Sequence, residues 1–266
     1  MNCTPYQYQC LGLQVEAGLA TLTLRSGLPF NAVNGAMHQE LASVFQALAA
    51  DEAVQVIVLT GAGDAFCAGG DLHWLRGQVE QPLDPVASRQ EARAIVLGML
   101  DCPKPIIARI NGDAIGFGAT LALLADITVM VDTARMADPH VRVGLVAGDG
   151  GAFLWPALVG YARAKEFLLT GNLVLAPDAA AMGLVNRCVA AGELDAVVAR
   201  YARQIQSAAP MAVRFTKAAI NIPLRQAVES VLEASLAFEH ITLRSADLKE
   251  GVDAFLNKRA PAFKGC

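Results

Sequence analysis

Two glycine-centred turns constrain this chain more than any other feature. Phe66-Cys67-Ala68-Gly69-Gly70-Asp71 and Asn111-Gly112-Asp113-Ala114-Ile115-Gly116-Phe117-Gly118-Ala119 each follow an apolar run and open a stretch of helical spacing. Glycine lets a backbone turn sharply and leaves its N–H groups uncovered, and a helix start adds unpaired donors and a positive dipole end. Two such turns facing one cavity make a place for an anionic oxygen. One glycine pair between a strand and a helix is common and specifies little. The recurrence of the whole unit is what carries information.

That recurrence is visible in the apolar pattern. Residues 11–16 and 19–25 read as a hairpin turning at Ala17-Gly18. Met37, Leu41, Val44, Phe45 and Leu48 give 34–49 a helical spacing before the buried-strand run at 54–60. The order repeats with a helix at 87–100, breakers at Pro103 and Pro105, a strand at 106–110, the second turn, a helix at 119–124 and a strand at 127–131. Strand-then-helix units of this kind predict an α/β core with crossover connections. The polar, proline-containing stretch 78–85 reads as a mobile loop. From residue 194 the chain reads as helix throughout, over 194–207, 210–221, 224–245 and 248–255. This predicts an α/β core over 1–193 and a helical lid or oligomerisation region over 194–266.

Composition narrows the function classes. A formal charge of -4, from 21 Lys and Arg against 25 Asp and Glu, gives no general attraction to nucleic acid or anionic lipid. With 54% hydrophobic and only 17% charged residues, some apolar surface is expected to be covered by partner subunits. Six scattered cysteines, without a Cys-x-x-Cys pair or a metal-type cluster, read as free thiols in a reducing compartment. The first residues lack a signal-peptide pattern, and the longest apolar stretch, 114–125, is shorter than the roughly 20 residues of a membrane span. A cytoplasmic protein with no metal and no membrane partner is expected.

Three segments together, 65–72, 111–118 and Gly144-Leu145-Val146-Ala147-Gly148-Asp149-Gly150-Gly151, resemble the enoyl-CoA hydratase/isomerase (crotonase) superfamily. The likeness continues through Ala125-Asp126-Ile127, 167–171, 181–186 and the tail 250–255, so it spans nearly the whole chain. It implies a spiral of ββα units assembled as a homotrimer or a dimer of trimers. It also implies oxyanion donors at the N–H groups of Gly70 and Phe117, and an adenine contact at the Ala68 carbonyl. The tail Phe255-Leu256-Asn257-Lys258-Arg259 resembles the family's CoA-contacting end, where Phe255 and Lys258 reach the nucleotide held by a neighbouring subunit. A solvated basic C-terminus is the plainer reading of the same residues. No cofactor is implied beyond coenzyme A as part of the substrate.

The acid–base residues depart from the hydratase pattern. The two positions where the hydratases carry glutamates are Thr120 and His140 here. A threonine hydroxyl orients water but is no base near neutral pH. His140 and, nine residues on, Asp149 remain. A histidine held by a carboxylate is a competent base, and this spacing resembles the superfamily's β-diketone hydrolases. That branch has a histidine where this chain has Phe117, so the likeness is partial.

Plainer readings stand beside these. Asp149 before Gly150-Gly151 also reads as a helix N-cap, His140 as a polar strand end, Thr120 as helix packing, and Asp71 and Asp126 as turn or capping residues. Arg142 is placed to pair with Asp149 or Asp138. Cys67 reads as a small residue needed for backbone access rather than a nucleophile. His38, His73 and His240 have no partner pattern and read as surface or core residues. The expectation is an acyl-CoA enzyme of hydratase/isomerase type using Gly70, Phe117, His140 and Asp149. A cofactor-independent hydrolase of 1,3-diketones and a catalytically silent acyl-CoA binder are the alternatives.

Overall fold

The computed structural model describes residues 7–80 and 84–266. β1 (Leu11–Glu16) and β2 (Leu19–Leu24) form the expected antiparallel hairpin. α1 (Gly35–Ala50) starts where the Asn34 side chain accepts the Met37 N–H, and it buries Met37, Leu41, Val44, Phe45 and Leu48, the stripe read from the sequence. β3 (Val56–Gly61) is buried along its whole length, as suits a strand covered on both faces. The first turn then leads into α2 (Leu72–Glu80), capped by Asp71, whose carboxylate accepts the Trp74 N–H at 2.8 Å. α3 (Pro85–Asp101) follows. The loop expected at 78–85 is thereby shortened from both sides, and 81–83 lie outside the described residues.

β4 (Ile106–Ile110) and β5 (Ala114–Ile115) lead to the second turn and α4 (Phe117–Leu123). β6 (Ile127–Val131), β7 (Arg135–Ala137), α5 (Gly151–Thr170), β8 (Val174–Leu175), α6 (Ala176–Ala181) and β9 (Arg187–Val189) complete the spiral. The main sheet runs β1-β2-β3-β4-β6-β9, parallel after the first hairpin, and the small sheet runs β5-β7-β8. The two-residue and three-residue strands were not legible, because a stretch that short carries no period.

α7 (Leu194–Gln206) packs on β4 and β6, whereas α8 (Pro210–Thr242) packs on α3 and α5, and α9 (Ala246–Leu256) on α2. The helical region from residue 194 thus divides: α7 covers the sheet, and α8 and α9 lie on other helices. α8 corrects the expected pair 210–221 and 224–245, since it runs continuously through Pro223. Proline removes one helix hydrogen bond, but Asn221 donates to the Leu100 carbonyl at 3.0 Å and ties that stretch to the end of α3.

The two glycine turns lie side by side. Phe66 and Cys67 N–H both donate to the Asp113 carbonyl, and Ile115 N–H donates to the Cys67 carbonyl. The Asn111 side chain accepts from Gly61 N–H and donates to the Gly63 and Ala65 carbonyls, while Asn31 also donates to Ala65. Gly69 has φ +82, and a Cβ there would meet the Ile115 carbonyl oxygen at 2.7 Å. A Cβ on Gly118 would lie 2.2 Å from the Cys67 carbonyl oxygen, so both turns need bare backbone where they meet. Gly118→Ala is therefore expected to destabilise the protein by about 1–3 kcal/mol through overpacking, read as a lower midpoint in urea unfolding.

Candidate active site

Beneath the paired turns lies a cavity of about 80 Å3. Gly70, Phe117, His140 and Asp149 all line it, as the sequence led one to expect. Among the described residues, the N–H groups of Gly70 and Phe117 donate to no acceptor in the chain. Phe117 is the first residue of α4, where helix geometry leaves an N–H without a partner. Around Gly70, Val33 bonds to the flanking residues through Gly69 O and Asp71 N and leaves the central N–H free.

His140 sits in a short 3-10 turn after β7, against the second glycine turn: a Cβ on Gly116 would be 3.5 Å from its Cε1. Its Nδ1 is hydrogen-bonded to Asp138, and its Nε2 lies 3.6 Å from Asp149 Oδ2. Asp149 Oδ1 accepts from the Thr120 hydroxyl at 2.9 Å. Thr120 thus orients the carboxylate, while Gly150 rather than Asp149 caps α5, which removes the capping reading of Asp149. Arg142 turns away to the Thr170 carbonyl and Asn172 and pairs with neither aspartate.

The electrostatics of the group follow from burial and mutual charge. Burial alone pulls the His140 pKa down, but the charges of Asp138 and Asp149, with the Asp138 hydrogen bond, overcome it and raise the value to about 10. The two carboxylates therefore hold a proton on the ring to higher pH than a free histidine keeps one. The group with room for a proton is Asp149, whose pKa is raised by burial against the opposing His140 charge. Asp138, His140 and Asp149 each offer a ligand atom within 4.8 Å of the others, a spacing that a metal ion accepts as well, and here the histidine spans the two carboxylates.

Three further groups line the cavity that sequence reasoning missed. Glu239 on α8 packs against Gly148, and burial together with the Asp149 charge raises its pKa to about 8. His38 and His240, read as surface or core residues, also face the cavity, whereas His73 is exposed. Asp138 had the only local signal, lying two residues before His140. Cys67 is fully buried with its thiol pushed up to about 12 by burial, in keeping with its reading as a packing residue. Ala68 follows the strand-like bridge at Cys67, beside Gly69 and Gly70. Phe255 and Lys258, at and just beyond the end of α9, are exposed and do not line the cavity of their own chain.

The sequence pattern of the enoyl-CoA hydratase/isomerase family matches residues 14–266. The chain belongs to that family. It is 34% identical over 253 residues to the 1,2-epoxyphenylacetyl-CoA isomerase of Escherichia coli, covering 94% of this chain and 97% of that one. A crystal structure of an enoyl-CoA hydratase/isomerase from Mycobacterium paratuberculosis superposes with a TM-score of 0.89 at 35% identity, covering 93% of this chain and 99% of the other. A β-diketone hydrolase from the cyanobacterium Anabaena, bound to (S)-3-oxocyclohexyl acetic acid, superposes with a TM-score of 0.83 at 27% identity, covering 89% and 95%. Among the described residues no helix is long and apolar enough to cross a membrane.

Removing the Asp138 charge tests the electrostatic account. His140 binds its proton more tightly folded than unfolded, so its contribution to stability is complete below about pH 6.5 and fades as pH rises toward about 10. Asp138→Asn is expected to bring the folded-state value down by about 1–3 pH units, followed by NMR titration of the His140 ring.

Proposed function

We propose that this family member forms an enolate from an acyl-CoA thioester, with the thioester oxygen held by the Gly70 and Phe117 N–H groups. The observation that carries the reading is that two main-chain donors without partners share one cavity with a buried Asp138–His140–Asp149 group. Donors fixed before reaction stabilise charge without having to reorganise as it develops. Asp149, steadied by Thr120, takes the proton from the carbon next to the carbonyl. The His140 imidazolium balances the charge of the carboxylate and of the forming enolate. The usual glutamate pair is absent, so Asp149 and His140 together move the proton or activate water.

In this reading the Ala68 carbonyl meets the adenine of coenzyme A, and Phe255 and Lys258 reach the nucleotide on a neighbouring subunit. Their exposure and distance from their own cavity support that assignment. A lysine meets phosphate as a point charge, and an aromatic ring packs beside a base. Exposed apolar residues on α5 and α8, including Tyr161, Leu169, Phe215 and Ile220, support a homotrimer or a dimer of trimers. Free Cys10, Cys67 and Cys102, all buried, support a reducing, cytoplasmic setting.

The second reading is hydrolysis of a carbon–carbon bond in a 1,3-diketone, favoured by the His140/Asp149 pair and by the likeness to the Anabaena enzyme. Purified protein offered crotonyl-CoA, 3-hexenoyl-CoA and a cyclic 1,3-diketone separates the two. Turnover of a thioester, with Asp149→Asn slower by about 10²–10⁴-fold, is the expected result. Opening of the diketone with thioesters untouched favours the hydrolase. Binding of CoA thioesters with no reaction, and no change in His140→Ala, leaves a silent binder. Light scattering of the purified protein checks the oligomer, with a mass of three or six chains expected.

A further inference from the structure

A second histidine shares the cavity with the groups assigned above. His38 comes from the first turn of α1, and its Nδ1 lies 2.9 Å from Oε2 of Glu91 on α3. Its ring is flanked by Trp74 at 5.8 Å and by Phe117 at 5.7 Å between centroids, and its side chain is only 12% exposed. Among the described residues no hydrogen bond is made by Nε2, and the residue lines the cavity. A carboxylate on one ring nitrogen fixes the orientation of an imidazole and leaves the other nitrogen for chemistry. α1 and α3 supply none of the Asp138, His140 and Asp149 group, so His38 and Glu91 form a second hydrogen-bonded pair on the same cavity, close enough for the His38 charge to act on Asp149.

We infer that His38, oriented by Glu91, is a second proton-transfer residue that serves a different carbon of the acyl chain from the one served by Asp149. The inference rests on the enolate reading above and narrows it to isomerisation of a 3-enoyl thioester. Asp149 takes the proton from C2, and the electron pair of the broken C–H bond passes into a dienolate whose charge rests on the oxygen at Gly70 and Phe117. In its protonated form His38 carries an N–H on both ring nitrogens. The Nε2 proton goes to C4 with a pair from the dienolate, which gives the conjugated 2-enoyl thioester, neutral His38 and protonated Asp149. Loss of one proton from Asp149 to water and gain of one by His38 restore the starting state.

The alternative is that Glu91 and His38 merely staple α1 to α3. Reaction of 3-hexenoyl-CoA in D2O, with wild type, His38→Gln and Glu91→Gln, decides between them, and calorimetric binding of acetoacetyl-CoA checks that the variants keep an intact site. In wild type each turnover is expected to place solvent deuterium at C4, with no C2 hydrogen relocated there. His38→Gln is expected to keep exchange of the C2 hydrogen while isomerisation falls by about 10²-fold or more. Glu91→Gln is expected to lower kcat with KM unchanged. Isomerisation by His38→Gln at the wild-type rate, migration of the C2 hydrogen to C4 in wild type, or equal loss of exchange and isomerisation in His38→Gln would overturn the inference. Absence in wild type of both C2 exchange and isomerisation would instead remove the enolate reading itself, and this inference with it.

Discussion

Main-chain contact between the segments around Cys67 and Ala114 sets where the two glycine turns, with Gly70 and Phe117, sit. The bridge between those residues, and the donations of Phe66 and Cys67 to Asp113, use up the polar groups on the sides of the turns that face each other. The N–H groups of Gly70 and Phe117 are left over, and both residues line the cavity. Backbones come this close only where no Cβ intervenes, which is why the glycines at 69 and 118 are structural requirements. Asn31 and Asn111 hold the carbonyls of the first turn from below and keep the arrangement stiff.

The second constraint is the placement of charge beneath those donors. Two buried aspartates and one histidine are costly to remove from water, and the cost is offset only when each charge finds a partner. His140 meets both carboxylates, and Thr120 holds one oxygen of Asp149. Asp138 Oδ2 is left without a hydrogen bond, but it lies against the first residue of α5, where a Cβ on Gly151 would meet it at 2.1 Å. The positive end of that helix favours the carboxylate. Glu239 approaches the same negative charge from α8 and responds by holding its proton to higher pH. The same crowding that makes the group expensive raises the proton affinity of His140, Asp149 and Glu239.

Much of this was legible beforehand, for identifiable reasons. The long strands and α1 follow from periods of two and 3.6 residues that survive any tertiary context. Gly70 and Phe117 were found because their turns combine bare backbone with a helix start, a local property. Asp149 was found by its spacing from His140, but its capping reading failed because Thr120 claims its oxygen. His38 and Glu239 were missed because they stand about a hundred residues from His140 on either side, and a helix surface in sequence does not say what it will face. The sequence predicts two helices on either side of Pro223 because proline usually ends a helix, and the contact with Leu100 that ties this stretch of α8 to α3 is not local.

The sequence by itself determined the α/β architecture, the two unpaired donor turns and the family, because backbone geometry, hydrophobic period and motif are written in neighbouring residues. Tertiary structure alone decided which ionisable side chains share the cavity and which of them carries the proton. Proton affinity depends on burial and on the distance to other charges, and both are properties of packing between segments far apart in the chain.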